Sequence, residues 1–183
     1  MRSIRNIDDL PAGAPLLADD LIEFHAARLL LLLGECGVNG QIEGLTKLAK
    51  LDFFVRYPSF FEQASRHLGK NDSSATRSVE SPMVRYHYGP WDQRYYHVLS
   101  FLEARRLISI DREGNTFRFS LTKEGTDARK ALASLPEFGP LVDQMKQVKH
   151  RFGKWSGNRL KDLIYRVFAE EVAERPLGEV IKQ

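Results

Sequence analysis

Cysteine is almost absent. Cys36 is the only one in 183 residues, which excludes an intramolecular disulfide and any cysteine-rich zinc site. A lone reduced thiol fits the cytoplasm. Membrane-spanning hydrophobic runs are missing too. The run Leu29–Leu33 is bounded by Arg28 and Glu35, far short of the roughly 20 apolar residues that cross a bilayer, so it reads as a buried helix and no membrane partner is expected. The first fifteen residues carry Asp8 and Asp9 where a secretory signal needs an apolar centre. A dominant charge sign is also missing: the net charge is +3, and a pI near 9.0 does not by itself argue for nucleic acid.

The signatures of catalysis and metal binding are lacking as well. There is no G-x-S-x-G, Cys36 has no histidine beside it, and no glycine-rich loop precedes a basic residue and a hydroxyl. His87, Asp92 and His97 would have to converge to hold a metal, yet Gly89-Pro90 separates the first histidine from the helix, and no i, i+4 histidine pair exists. His25, His67 and His150 stand alone. The carboxylates of "IDREG" and "AEEVAE" read as solvated charge. No catalytic residue, metal site or cofactor is therefore expected.

What is present is helical periodicity interrupted by one hairpin signal. After an irregular lead-in with Pro11, Gly13 and Pro15, a helix is predicted from about Asp19 to Glu35, its buried face built from Leu21, Ile22, His25, Leu29, Leu32 and Leu33 and its stop at Gly37. "VNGQIEG" reads as a turn-rich link. A second helix starts near Leu45 and ends by Tyr57, because Pro58 disfavours helical backbone before it. "SFFE" (Ser59–Glu62) has capping-box spacing for a third helix that runs to Leu68 and stops at Gly69. "KNDSSATRS" reads as a polar loop, and "VESPMVRYHY" as an extended segment on a sheet edge or in a loop.

The densest chemistry lies in "YHYGPWDQRYYH", Tyr86–His97. Here Gly89-Pro90 is expected to turn the chain and Asp92 to cap a helix carrying Tyr95, Val98, Leu99 and Leu102 inward. "LISID" and "TFRFSLT" then alternate as two strands around "REGN", and Thr122 can cap a helix from Lys123 to Ser134. Helix, two-stranded hairpin and helix form the back half of a winged helix. The helix before the wing is the one that can enter a major groove, and Gln93, Arg94 and His97 lie early on it. The expected fold is mainly α with a small β-hairpin: an irregular segment over 1–18, a winged-helix domain over 19–134 and a C-terminal helical extension over 135–183. That extension comprises "LVDQMKQVKHRF", a break at "GKWSG" and "NRLKDLIYRVFAEEVA".

Charge is unevenly distributed. Residues 1–45 hold seven acids against three bases, whereas 144–168 hold seven bases against Asp162 alone. Lys146, Lys149, Arg151, Lys154, Arg159 and Lys161, with Trp155 among them and Arg166 beyond, form the candidate contact surface. Either they bind DNA phosphates or an acidic partner, or they are a solvated face packed on the acidic half.

The blocks "LTKLAKLDFFVRYP", "SPMVRYHYGPWDQRYYHVLSFLEARRLI" and "GKWSGNRLKDLIYRVF" resemble, in that order, the small middle components of bacterial ABC-three-component systems, among them the small subunit of Lamassu-type anti-phage and anti-plasmid defence. The resemblance covers under half the chain. It implies a non-catalytic subunit that joins an SMC- or Rad50-like ATPase to an effector such as a nuclease, with DNA contact as an option, and it transfers no catalytic residue. The alternative is a stand-alone winged-helix DNA-binding transcriptional regulator. That reading needs a basic recognition helix and wing, whereas Asp111 and Glu113 here offset Arg112 and Arg118.

Overall fold

The computed structural model describes residues 21–70, 83–86 and 89–169, together with positions 172, 176, 178, 179 and 181. Helix α1 (Ile22–Cys36) runs through the centre. Leu29 to Leu33 are all buried because α1 is covered by α2, α4, α5 and α6 (ranges below) rather than packed on one side. The predicted N-terminal residues Asp19 and Asp20 lie outside the described residues.

The link after α1 is more ordered than its sequence suggested. Asn39 and Gly40 both have positive φ, 52° and 71°, and Val38 and Gln41 exchange backbone hydrogen bonds of 2.9 and 3.0 Å across them. Asn-Gly is the pair that adopts this tight hairpin turn with least strain. It delivers β1 (Gln41–Glu43), a strand the sequence reading missed. Helix α2 (Leu45–Arg56) follows, then α3 (Pro58–His67). The expected capping box does not form: α3 starts at Pro58, its N-cap Tyr57 makes no side-chain cap bond, and Ser59 already lies inside the first turn. A proline at the first helical position needs no partner for a missing N–H.

Strands β2 (Val84–Tyr86) and β3 (Gly89–Trp91) pair antiparallel, Val84 with Trp91 and Tyr86 with Gly89. Gly89-Pro90 is therefore strand, not the expected turn. In a two-stranded ribbon each strand has an outer edge, so proline's missing N–H is tolerated there. Helix α4 (Tyr95–Ala104) buries Tyr95, Val98, Leu99 and Leu102, the four residues its periodicity selected.

Strands β4 (Ile108–Glu113) and β5 (Thr116–Leu121) form the predicted hairpin, and β1 joins β5 to give an antiparallel sheet in the order β1-β5-β4. Ile42, Phe119 and Ile110 sit side by side across its three strands, and Phe119 is buried. Thr122 caps α5 (Lys123–Ala133) by accepting from the Gly125 N–H at 2.9 Å and donating to the Arg106 carbonyl at 2.7 Å. Gly125 is required there, since a Cβ would fall 1.8 Å from the Leu107 carbonyl oxygen.

Helices α6 (Gly139–Phe152) and α7 (Gly157–Val167) pack on α2 and α3. Their contact is aromatic: Phe54 stacks on Phe152 at 4.7 Å, and Phe60 meets Phe168 edge-on at 4.7 Å. One hydrophobic core runs across residues 134 and 135, from α1 through α7. The architecture is mainly helical with a small three-stranded antiparallel sheet.

Candidate functional site

The first turn of α4 rests on a buried cluster of charge. From α1 come His25 and Arg28, from α2 Asp52 and Arg56, and from the start of α4 Asp92, Arg94 and Tyr95. Spacings of three and four put each pair on one helix face. Asp52 is completely buried and accepts from Arg28 Nε at 3.0 Å and from the Tyr95 hydroxyl at 2.7 Å. Asp92, only 6% exposed, accepts from Arg56 Nη1 at 2.8 Å, from Arg94 Nε and Nη2 at 2.9 and 2.8 Å, and from the Arg94 backbone N–H at 3.0 Å. Burial alone would raise its pKa, but the Arg94 hydrogen bonds and the Arg56 charge outweigh that and hold the carboxyl well below its ordinary range.

Asp92 was expected to be a simple helix cap. It is instead the anion on which three guanidinium groups converge, Arg94 beside it, Arg56 from a helix 36 residues earlier and Arg28 at 3.9 Å. His25 lies between guanidinium groups, its Nδ1 3.0 Å from Arg28 Nη1 and its Nε2 2.8 Å from Arg94 Nη1. Arginine offers only donors, and a neutral imidazole has one lone pair, so His25 can bond one of the two. These groups bond one another across three elements, while Arg56 Nε, also buried, makes no hydrogen bond among the described residues. Their work is to pin α4 against α1 and α2. The sequence signal was present but unread: Asp52 and Arg56 stand i, i+4 on a helix otherwise rich in buried apolar residues.

The sequence grouped Arg94 with His97 as duplex-facing residues. The structure separates them, with Arg94 drawn inward to Asp92 and His25 and His97 exposed. The outward side of α4 carries Tyr96, His97, Ser100, Glu103 and Ala104, with Gln93 exposed just before it. Tyr96 is 65% exposed, and its ring lies 5.8 Å from that of Trp91. Both His87 and Tyr88 fall outside the described residues.

The C-terminal cations do not share one face. Lys149 turns inward and donates to the Cys36 carbonyl at 3.1 Å and to the Gly37 carbonyl, capping the C-terminus of α1, and burial lowers its pKa. Its ammonium thus points to the end of α1, where free carbonyls attract a cation, rather than lying beside that of Lys146. Lys146 is exposed and 3.3 Å from Asp143. Arg151 is half-buried on α6.

Lys154 is exposed in the turn before α7, and Trp155 beside it is half-buried, meeting Phe152 edge-on at 5.3 Å. The Arg159 guanidinium lies over the Trp155 ring at 3.6 Å. Lys161 is 3.6 Å from Asp162, and Arg166 is exposed. Behind α7, Lys50 is buried with its ammonium 3.0 Å from the Pro90 carbonyl, and burial together with Lys161 lowers its pKa to about 7.

Among the described residues no group of three or more histidine, cysteine, aspartate or glutamate side chains could hold a metal ion, and no helix is long and apolar enough to cross a membrane. Comparison with protein families, characterised proteins and solved structures finds no match to this chain.

Proposed function

We propose that this chain is a non-catalytic accessory subunit with a winged-helix core, acting in the cytoplasm as the small middle component of a bacterial ABC-three-component defence complex. In this reading it joins an SMC- or Rad50-like ATPase to an effector such as a nuclease. The sheet order β1-β5-β4, with α1, α2 and α4 around it, supports the winged-helix assignment: α4 takes the recognition-helix position and β4–β5 the wing.

The observation that carries the adaptor reading is the chemistry of the α4 surface. Its one early cation, Arg94, is committed to Asp92 and His25, and the side left outside carries Tyr96, His97 and Ser100 over its first turns, with Glu103 beyond them and the exposed arginines Arg105 and Arg106 only past its end. Phosphate contact needs cations, whereas exposed aromatics anchor protein interfaces. The hairpin points the same way. Arg118 lies 2.6 Å from Glu113 and 3.4 Å from Glu43, so its charge is balanced locally.

The test is co-expression with a neighbouring gene product of the coiled-coil ATPase class and affinity purification through a tag on this chain. Recovery of a stoichiometric complex from wild type, and its loss on Tyr96→Asp with the fold intact, is the expected result. Sequence-specific duplex binding by the chain alone, with no ATPase recovered, would replace this reading with that of a transcriptional regulator.

A further inference from the structure

We propose that the outer side of α7 and the turn before it, presenting Lys154, Arg159 and Arg166, form a docking strip for the phosphodiester backbone of duplex DNA. The strip is separate from α4, and the inference does not depend on the adaptor reading.

Three observations support it. Among the described residues Lys154, Arg159 and Arg166 have no carboxylate partner, in contrast to Lys146 and Lys161. Arg159 and Arg166 are both exposed and seven residues apart, two helical turns along one face and about 10 Å in rise. Arg159 also has a resting place: its guanidinium carbon lies over the Trp155 ring, 3.6 Å from the centroid, and that ring meets Phe152 edge-on. A stacked guanidinium keeps its in-plane N–H groups free for phosphate and loses little entropy on binding.

Beside the strip, Lys47 donates to the Gly153 carbonyl at 2.9 Å, and its pKa is lowered by burial first and then by Lys149. A lysine crowded by a second cation in the free protein is relieved by an external polyanion. Asp162, the only acid on α7, lies between Arg159 and Arg166 on that face, and Lys161 at 3.6 Å offsets its charge.

The experiment is fluorescence anisotropy of the full chain with a labelled 20-base-pair duplex of mixed sequence. With about three to four phosphates neutralised, affinity is expected to fall about 40- to 150-fold between 50 and 200 mM salt. The exposed double reversal Lys154→Glu/Arg166→Glu, checked for native circular dichroism, is expected to weaken binding at 50 mM salt at least tenfold. The reversal Arg105→Glu/Arg106→Glu, which changes net charge equally at the far end of α4, is expected to change it less than twofold. Equal losses in both variants mean that only net charge matters and overturn the proposal. So does undetectable binding by wild type at 50 mM salt. Tighter binding of labelled polyglutamate than of duplex would assign the strip to an acidic protein and overturn it too.

Discussion

Replacing Asp92 by asparagine keeps the shape of the side chain, removes its charge and turns one oxygen that accepts from arginine into an NH2 donor, so it probes what the buried cluster contributes. In the wild type, three guanidinium groups and two carboxylates meet there; the substitution leaves Arg56 and Arg94 facing a neutral amide, and Asp52 as the only anion. At 2.8 Å and an effective dielectric near 20, the Arg56 attraction amounts to about 6 kcal/mol. The cost of burying the carboxylate, which the amide avoids, offsets part of this. Arg94, about one-third exposed, regains water. The net loss is then about 3 kcal/mol, at the lower end of what breaking a buried pair costs, or about 6–12 °C in Tm for a chain of this size.

Urea unfolding followed by circular dichroism at pH 7 measures it. The substitution also changes the acid limb. Asp92 has a folded pKa below its ordinary value of 3.8, so the native state binds fewer protons than the unfolded chain in acid. Its contribution is present above about pH 4 and is lost as pH falls through the folded value. Asp92→Asn is expected to lose less stability than wild type on acidification from pH 4 to pH 2. A pH 7 difference below 1 kcal/mol, with an unchanged acid limb, would refute the view that Asp92 is the anchor of α4.

Three further substitutions probe other parts of the fold. Lys50→Met is expected to raise stability by about 1–2 kcal/mol at pH 6, because removing a buried ammonium outweighs the loss of the donor to the Pro90 carbonyl. Wild-type stability is expected to rise from pH 7 towards 10.5, where the unfolded chain still holds the proton that folded Lys50, at about 7, has released; the methionine variant lacks this rise, and urea midpoints at pH 6 and pH 9 compare them. Phe119→Ala is expected to cost about 3–5 kcal/mol by chemical denaturation, since the ring is buried at the centre of the sheet. Arg106, exposed just after α4 with φ at 57°, occupies a left-handed position that suits glycine, so Arg106→Gly is expected to hold or raise Tm, by up to about 1 kcal/mol in stability.

Much of the fold was legible because its signals are local. The break at Pro58, the Thr122 cap, the inward set Tyr95, Val98, Leu99 and Leu102 and the hairpin around Gly114 each follow from backbone geometry within a few residues. Phe117, expected to alternate with Phe119, is nonetheless exposed. The three-residue strand β1 was not legible. Its ladder partner β5 lies more than 70 residues away, and a segment that short has no stability of its own.

The functional surface divides in the same way. Composition and spacing alone excluded disulfides and left no recognisable catalytic or metal-binding signature, and they located the basic section and the aromatic block. Which of those side chains face outward was decided by tertiary structure. Arg94 looked like a surface cation until His25, 69 residues earlier, closed over it. Lys149 looked like a neighbour of Lys146 until the end of α1, 113 residues earlier, offered it the Cys36 carbonyl. A charged side chain is drawn to whichever opposite charge or open carbonyl the fold brings within about 3 Å, and sequence separation carries no record of that distance. Among the described residues the fold brings Lys154, Arg159 and Arg166 no such carboxylate, and they stay on the surface.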